Sequence, residues 1–145
     1  MAKGSDPGGN ERGEVMADLE KLTKLYKQAN SLNEELPGDI VKKLSLYGKI
    51  LEILGGFHAQ SVKEWKLSES ARREALASAF CYDIDGSVVE RTNKAEIAAA
   101  PTRRKEAETE AEAQRWRNAY NSTSEIIQIL KLQLKDMKSL DKGGV

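Results

Sequence analysis

Apolar residues in the last part of the chain recur with a heptad spacing. From residue 116 to residue 137 the intervals alternate between four and three, through Trp116, Tyr120, Thr123, Ile127, Leu130, Leu134 and Met137. A helix with this spacing buries one narrow face against another helix. We therefore predict a long C-terminal helix that serves both the core and a homo-oligomer. The predicted subunit contacts are Trp116, Tyr120, Ile127, Leu130, Leu134 and Met137.

Two further stretches with apolar residues at helical spacing precede this segment. The first begins at Val15 and ends before Pro37-Gly38, which is a strong helix stop. The second starts after Asp39, which is placed to cap it, and its stripe continues to Phe80. The stripe keeps its phase across Gly55-Gly56, which favours one long helix over two helices hinged there.

A reversal of the chain is predicted between residues 81 and 87. Asp85-Gly86 is a turn dipeptide, and Ser87 with Glu90 has the form of a capping box for the helix that follows. Pro101 should kink this helix or split it in two, and Ala100 before it is disfavoured in helical geometry. A thin face for close helix packing is predicted at alanines 95, 99, 107 and 111.

These patterns predict an all-α fold. The expected architecture is a long antiparallel helical hairpin with an additional N-terminal helix and coiled-coil-like packing. Residues 1–13 contain several glycines and a proline, and are predicted to be a flexible tail. Residues 14–140 should form a single helical domain, and residues 141–145 a frayed C-terminus.

Composition limits the classes of function. The 145 residues carry 23 basic and 23 acidic side chains, so nucleic-acid binding would need a local basic patch. No apolar run approaches the roughly 20 residues of a membrane span, and the N-terminus lacks a signal-peptide core. The single cysteine fits a reducing compartment. We predict a cytoplasmic protein with no membrane segment.

Catalytic and metal-binding chemistry finds little support in the sequence. Asp83 and Asp85 lack the glycine and glutamate spacing of a calcium loop and are interpreted as turn residues. His58 is the only histidine and is interpreted as a partly buried core residue, and Cys81 as a small packing residue. We predict no catalytic residue, no metal site, no cofactor and no enzyme activity.

Basic residues cluster on both sides of the turn. The candidate DNA-binding residues are Lys63, Lys66, Arg72, Arg73, Arg91 and Lys94. Trp65 lies among them, and cations next to an aromatic ring are typical of a groove for single-stranded nucleic acid. The alternative is a solvated set of helix faces, in which these cations pair with glutamates 106, 108, 110 and 112.

The order of several short motifs resembles the centre of the UvsY family of phage recombination mediators. The motifs are Leu46-Tyr47-Gly48-Lys49, residues 63–75 with Glu69 and Arg72-Arg73, residues 82–86, Glu96-Ile97 and Trp116. The similarity extends from Asp39 to Met137. It implies a ring- or barrel-forming helical protein that binds single-stranded DNA and loads a RecA-type recombinase in place of a single-strand-binding protein.

The sequence departs from this family at one functional position. A lysine and an arginine before the turn are tied to DNA binding in the family, and Ala77 and Ala79 stand at the corresponding places. Any DNA contact must therefore come from other positions, and the six candidates named above are the expected ones.

Two hypotheses follow. The first is a non-enzymatic, oligomeric recombination mediator that binds single-stranded DNA, with a RecA-type recombinase and a single-strand-binding protein as partners in a host-cell cytoplasm. The second is a helical structural or adaptor protein, for phage assembly or host interaction, that acts through protein contacts without DNA.

Overall fold

The computed structural model describes residues 7–143 and is all-α. Over these residues the chain forms α1 (Pro7–Asn30), α2 (Pro37–Tyr82), α3 (Val88–Ala98) and α4 (Ala100–Lys142), with no strand. The predicted fold class is confirmed. None of these helices combines the length and apolarity that a bilayer crossing needs.

The described chain divides into two compact units, each made of parts of the long helices. Unit 1 contains residues 7–54 and 120–143, and unit 2 contains residues 55–119. Unit 1 therefore holds α1, the start of α2 and the end of α4. Unit 2 holds the rest of α2, all of α3 and the start of α4. Whether the two behave as the single predicted domain stays a prediction.

The core of unit 1 uses the predicted stripes of three helices. Its buried residues are Leu22, Leu25, Ala29, Ile40, Tyr47, Ile50, Leu54, Thr123 and Leu130. Lys43 is also buried, and its ammonium lies 2.8 Å from the Glu34 carboxylate, which offsets the desolvation of the charge. The side chain of Gln133 donates to the Glu34 carbonyl at 3.1 Å, which attaches α4 to the α1–α2 connection.

Unit 2 is an antiparallel helical hairpin. Near the turn, the Arg91 guanidinium of α3 lies 4.3 Å from the centre of the Phe80 ring on α2. Far from the turn, the Phe57 ring of α2 stacks on Trp116 of α4, with ring centres 4.6 Å apart. Residues that approach the turn along α2 thus meet residues that leave it along α3 and α4, as the sequence predicted.

Pro37 begins α2 rather than only ending α1. The Leu36 carbonyl accepts hydrogen bonds from the amides of Asp39 and Ile40, so Pro37 occupies the first helical position, where its missing N–H is no loss. The prediction that Asp39 caps α2 is therefore wrong. Its carboxylate instead accepts from the Asn33 amide at 3.0 Å and closes the connection between the helices.

Both predicted tails are partly helical. The flexible tail predicted over residues 1–13 is wrong for residues 7–13, which belong to α1, and residues 1–6 lie outside the described part. Pro7 suits a first helical position, and the exposed turns after it continue a helix anchored from Leu22 onward. At the other end, α4 includes Asp141 and Lys142, and residues 144–145 lie outside the described part.

The glycine pair and the proline act differently on the helices. α2 passes through Gly55-Gly56 without interruption, as predicted. Near Pro101 the helix splits, with Ala99 as the C-cap of α3. Ala100 nevertheless starts α4, which corrects its predicted exclusion from helical geometry. A Cβ at Gly48 would meet no atom of another element within 4 Å, so this glycine does not mark a close approach of a neighbouring helix.

Candidate functional site

Arg72 is one of the two half-buried candidate DNA-binding cations, and it is already paired. Its guanidinium Nε donates to the carboxylate of Glu106 on α4. The Arg72 side chain is 25% exposed and that of Glu106 is 18% exposed, so the pair is largely shielded from water. This is one of the glutamates that the alternative interpretation named. Arg72 therefore joins α2 to α4 within unit 2.

Lys66 and Arg73 share one acidic partner on α2. The Glu69 carboxylate lies 3.1 Å from the Lys66 ammonium and 2.6 Å from the Arg73 guanidinium. These spacings of three and four residues are the usual pairings on a helix surface. The hydrogen bond from Lys66, followed by its charge and that of Arg73, holds the pKa of Glu69 below its ordinary value.

Arg91 and Lys94 hold the turn between α2 and α3. Arg91 donates to the backbone carbonyls of Asp83 at 2.8 Å and Phe80 at 2.9 Å, which are near the end of α2. Lys94 lies 3.1 Å from the Asp83 carboxylate. The hydrogen bond from Lys94, and then the amide of Asp85, lower the pKa of Asp83. The two cations thus stabilise a helix end and a loop.

Lys63 differs from the other five candidates. It is exposed, and no acidic side chain in the described part of the chain pairs with it. The structure collects Lys66, Arg72 and Arg73 around glutamates, and Arg91 with Lys94 around Asp83. Basic and acidic residues between positions 55 and 119 are equal in number. The six cations therefore give unit 2 no excess positive charge, and their contact with DNA stays a prediction.

The predicted subunit contacts on α4 are used within the chain. Leu130 is buried at 3% exposure and Trp116 stacks on Phe57, while Ile127, Leu134 and Met137 are half-buried and Tyr120 is 36% exposed. The heptad stripe is therefore a core stripe. Large apolar residues stay exposed on other faces of α4, namely Ile126, Ile129, Leu132 and Leu140. Assembly stays a prediction, and these residues are better placed for it.

The end of the helical hairpin exposes a group of large apolar side chains, which we call the hairpin tip. It consists of Tyr82, Ile84, Val88 and Val89, whose exposures are 93%, 77%, 68% and 69%. Cys81 is exposed beside them, which corrects its interpretation as a packing residue. It lies in the last turn of α2.

Local hydrogen bonds make the backbone of the hairpin tip well defined. Gly86 has φ of 96°, a left-handed conformation that favours glycine. The Glu90 amide donates to the Ser87 hydroxyl at 3.2 Å, and the Ser87 amide donates to the Glu90 carboxylate at 2.8 Å. The predicted capping box is confirmed. Asp83 accepts from the Asp85 amide at 3.2 Å, which supports the interpretation of these residues as turn residues.

The position of the turn is predictable from the sequence, but its exposed apolar character was missed. The signal was present, because Tyr82, Ile84 and Val88-Val89 flank a dipeptide that must lie on the surface. Within residues 7–143, no three His, Cys, Asp or Glu side chains are arranged to hold a metal ion. His58 is half-buried, in keeping with a core position.

Comparison of the chain with protein-family models, with curated proteins and with solved structures gives no match. The resemblance to the UvsY family therefore stays an expectation from the sequence.

Proposed function

We propose that this protein is a non-enzymatic helical adaptor, which binds a partner protein through the hairpin tip. The observation that carries the proposal is the exposure of Tyr82, Ile84, Val88 and Val89 around one short turn. Several large apolar side chains that are exposed within one short segment make that segment a candidate interaction site. A tyrosine among them adds a large apolar ring with a polar end, which is common at protein interfaces.

The preformed turn supports recognition by docking. The capping box and the contacts of Arg91 hold the tip backbone before a partner arrives. A preformed site loses less conformational entropy on binding, so more of the apolar burial contributes to affinity.

Acidic groups around the tip define the chemistry of the partner. Asp85 and Glu90 are exposed in the turn and at the start of α3, whereas Arg91 is occupied by backbone carbonyls and Lys94 by Asp83. Neutral carbonyls leave the charge of Arg91 in place, so residues 82–94, with three acidic and two basic side chains, carry a net charge of −1. The complementary partner surface is an apolar groove with a lysine or arginine rim.

The single cysteine provides a direct test. Cys81 is the only cysteine in the chain and is exposed at the tip, so a maleimide photo-crosslinker can be attached there alone. Cross-linking is carried out in extract of the cells that produce the protein, and the product is identified by mass spectrometry. The identified partner is then purified, and its affinity is measured for wild type and for the Val88→Ser/Val89→Ser variant.

A matched label on another surface is the control. The Cys81→Ser/Gln114→Cys variant carries the crosslinker on an exposed position of α4. We expect a product from Cys81 that is absent from position 114, and at least a tenfold weaker affinity for the double serine variant. Equal products from both positions, an unchanged affinity, or cross-links only to a second copy of the chain would contradict the proposal.

The second candidate function is the single-stranded DNA-binding recombination mediator. Lys63 favours it, because it is exposed and has no acidic partner among the described residues. It lies one turn from Lys66, whose ammonium is 4.5 Å from the centre of the Trp65 ring. In this proposal the protein acts as a homo-oligomer in a host-cell cytoplasm. It assists a RecA-type recombinase in the presence of a single-strand-binding protein.

A filter-binding titration tests the second candidate. Binding of a single-stranded oligonucleotide should be strongest at low salt, because phosphate contacts release counterions. Lys63→Gln should weaken it, and absence of binding at low salt would exclude this function. The tip variant Val88→Ser/Val89→Ser serves as the control with unchanged charge.

A further inference from the structure

Four lysines form one straight row near the end of α4, which we call the lysine row. They are Lys131, Lys135, Lys138 and Lys142, at intervals of four, three and four residues. At about 100° per residue these positions fall within an arc of about 60° on the helix. All four are exposed, and none has an ion-pair partner among the described residues.

The lysine row lines an open, shallow groove of about 470 Å³ that is formed by side chains of α4 alone. Leu134 and Ser139 complete its lining, and the groove lies entirely within unit 1. The nearby acids Asp136 and Asp141 lie about 90° or more from the centre of the row, by the same helical geometry. The row is therefore a local concentration of positive charge in a protein with no net charge.

The helix dipole explains only one of these lysines. Cations near a helix C-terminus are favoured, but the effect falls off within the last turn. Lys142 is in the last turn of α4, whereas Lys131 lies three turns earlier. Pairing on the helix surface does not explain the others, because each lacks an acidic partner in the described chain.

We propose that the lysine row binds the phosphates of single-stranded nucleic acid, without preference for base sequence. The Cα atoms of the row repeat every ~4.5–6 Å along the helix axis over ~16 Å, which suits a chain of regularly spaced anions. A flexible strand can follow this line, whereas each strand of a duplex winds away from it. No aromatic ring lines the groove, so the bases are not read.

This site goes beyond the adaptor function, because the lysine row and the hairpin tip share no residue. It also differs from the six cations suggested by the sequence. If both sites are occupied, the protein links a strand to a partner protein.

The slope of log affinity against log salt concentration gives the number of phosphates that the protein contacts. Anisotropy is measured with a fluorescent oligothymidylate of about eight nucleotides, short enough to occupy one row, between about 50 and 200 mM salt. Four contacts to a single strand predict a slope of about −2.8 in log affinity against log salt. Lys135→Gln/Lys138→Gln removes two contacts and should reduce the slope to about −1.4.

Matched variants separate this site from other basic surfaces. Lys42→Gln/Lys49→Gln removes the same charge from exposed lysines of α2 in the same unit, which have no ion-pair partner among the described residues, and should leave the slope unchanged. An equal change in both double variants, or no change in the row variant, would overturn the proposal. So would absence of binding at low salt.

Two other probes test the class of ligand. Polyglutamate of similar charge and a duplex of similar length should both bind at least tenfold more weakly than the single strand. Polyglutamate that binds as tightly as the oligonucleotide would replace the proposal with an acidic protein segment. The tip variant Val88→Ser/Val89→Ser should bind the strand normally, so loss of partner binding and loss of strand binding are distinguishable.

Discussion

The Glu106 carboxylate on α4 binds the Arg72 guanidinium on α2, and both side chains are mostly shielded from water. Arg72 was a candidate for DNA binding in the sequence. Its position shows a cation that joins two antiparallel helices instead of presenting its charge to solvent. Charge-assisted hydrogen bonds of this kind are among the stronger polar contacts, and a partner left unpaired is costly.

Replacement of Arg72 should therefore reduce stability. Arg72→Met retains the apolar stem but leaves Glu106 without its partner, and should cost about 1–3 kcal/mol in urea unfolding. The control is Arg73→Met, whose side chain is 71% exposed and which should change stability by less than about 0.5 kcal/mol. Equal losses from the two variants would show that the Arg72–Glu106 pair has no special structural role.

Replacing glycine by alanine should change the stability of the protein in opposite directions at two positions. A Cβ at Gly56 meets no other atom within 4 Å, so Gly56→Ala should stabilise helix α2 by roughly 1 kcal/mol. At Gly86, with φ of 96°, a Cβ would lie 2.6 Å from the Glu90 carboxylate and Gly86→Ala should destabilise. Thermal unfolding of both variants measures this, and a stabilising Gly86→Ala would contradict the assigned turn.

Glu69 should contribute to the pH dependence of stability. Its pKa is lowered in the folded state by Lys66 and Arg73, so its contribution is complete at pH values above the ordinary 4.5 and disappears as pH falls through the folded pKa. The loss of stability between neutral pH and pH about 3 should therefore be smaller in Glu69→Gln. Glu108→Gln, which removes an exposed glutamate with no ion-pair partner among the described residues, is the control: an equal reduction of the loss in both variants would show that the ion pairs of Glu69 are not its cause.

Assembly is tested by molar mass in solution. We expect light scattering to give a multiple of 16.1 kDa, since α4 exposes Ile129 at 61% and Leu132 at 62% next to its occupied core stripe. Ile129→Ser/Leu132→Ser should then lower the mass without unfolding the chain. A wild-type mass equal to that of one chain would contradict assembly. The heptad stripe would then pack only within the chain.

The periodicity of the sequence predicted the helices because each long helix buries one regular stripe. It also predicted the capping box and the turn, whose residues interact with neighbours in sequence. The pairing of Arg72 with Glu106 connects residues 34 positions apart and depends on the register of two helices. A local pattern does not contain that register, so the same cations looked available for DNA.

The apolar pattern of the sequence also could not predict which apolar side chains are exposed to solvent. Leu130 and Ile129 are neighbours of similar hydrophobicity, yet one is 3% and the other 61% exposed. Which face of α4 packs inward depends on the other helices of its unit. The apolar hairpin tip was missed for the same reason, since Val88 and Val89 at a helix start equally suit a covered or an uncovered face.

The proposed binding of a partner protein by the hairpin tip can be followed along the backbone. Hydrogen–deuterium exchange of this protein, alone and with the partner identified through Cys81, tests it most directly. We predict slower exchange in the turn between Tyr82 and Glu90, with no change along the lysine row. Unchanged exchange in the turn, with protection confined to any other surface, would contradict the claim.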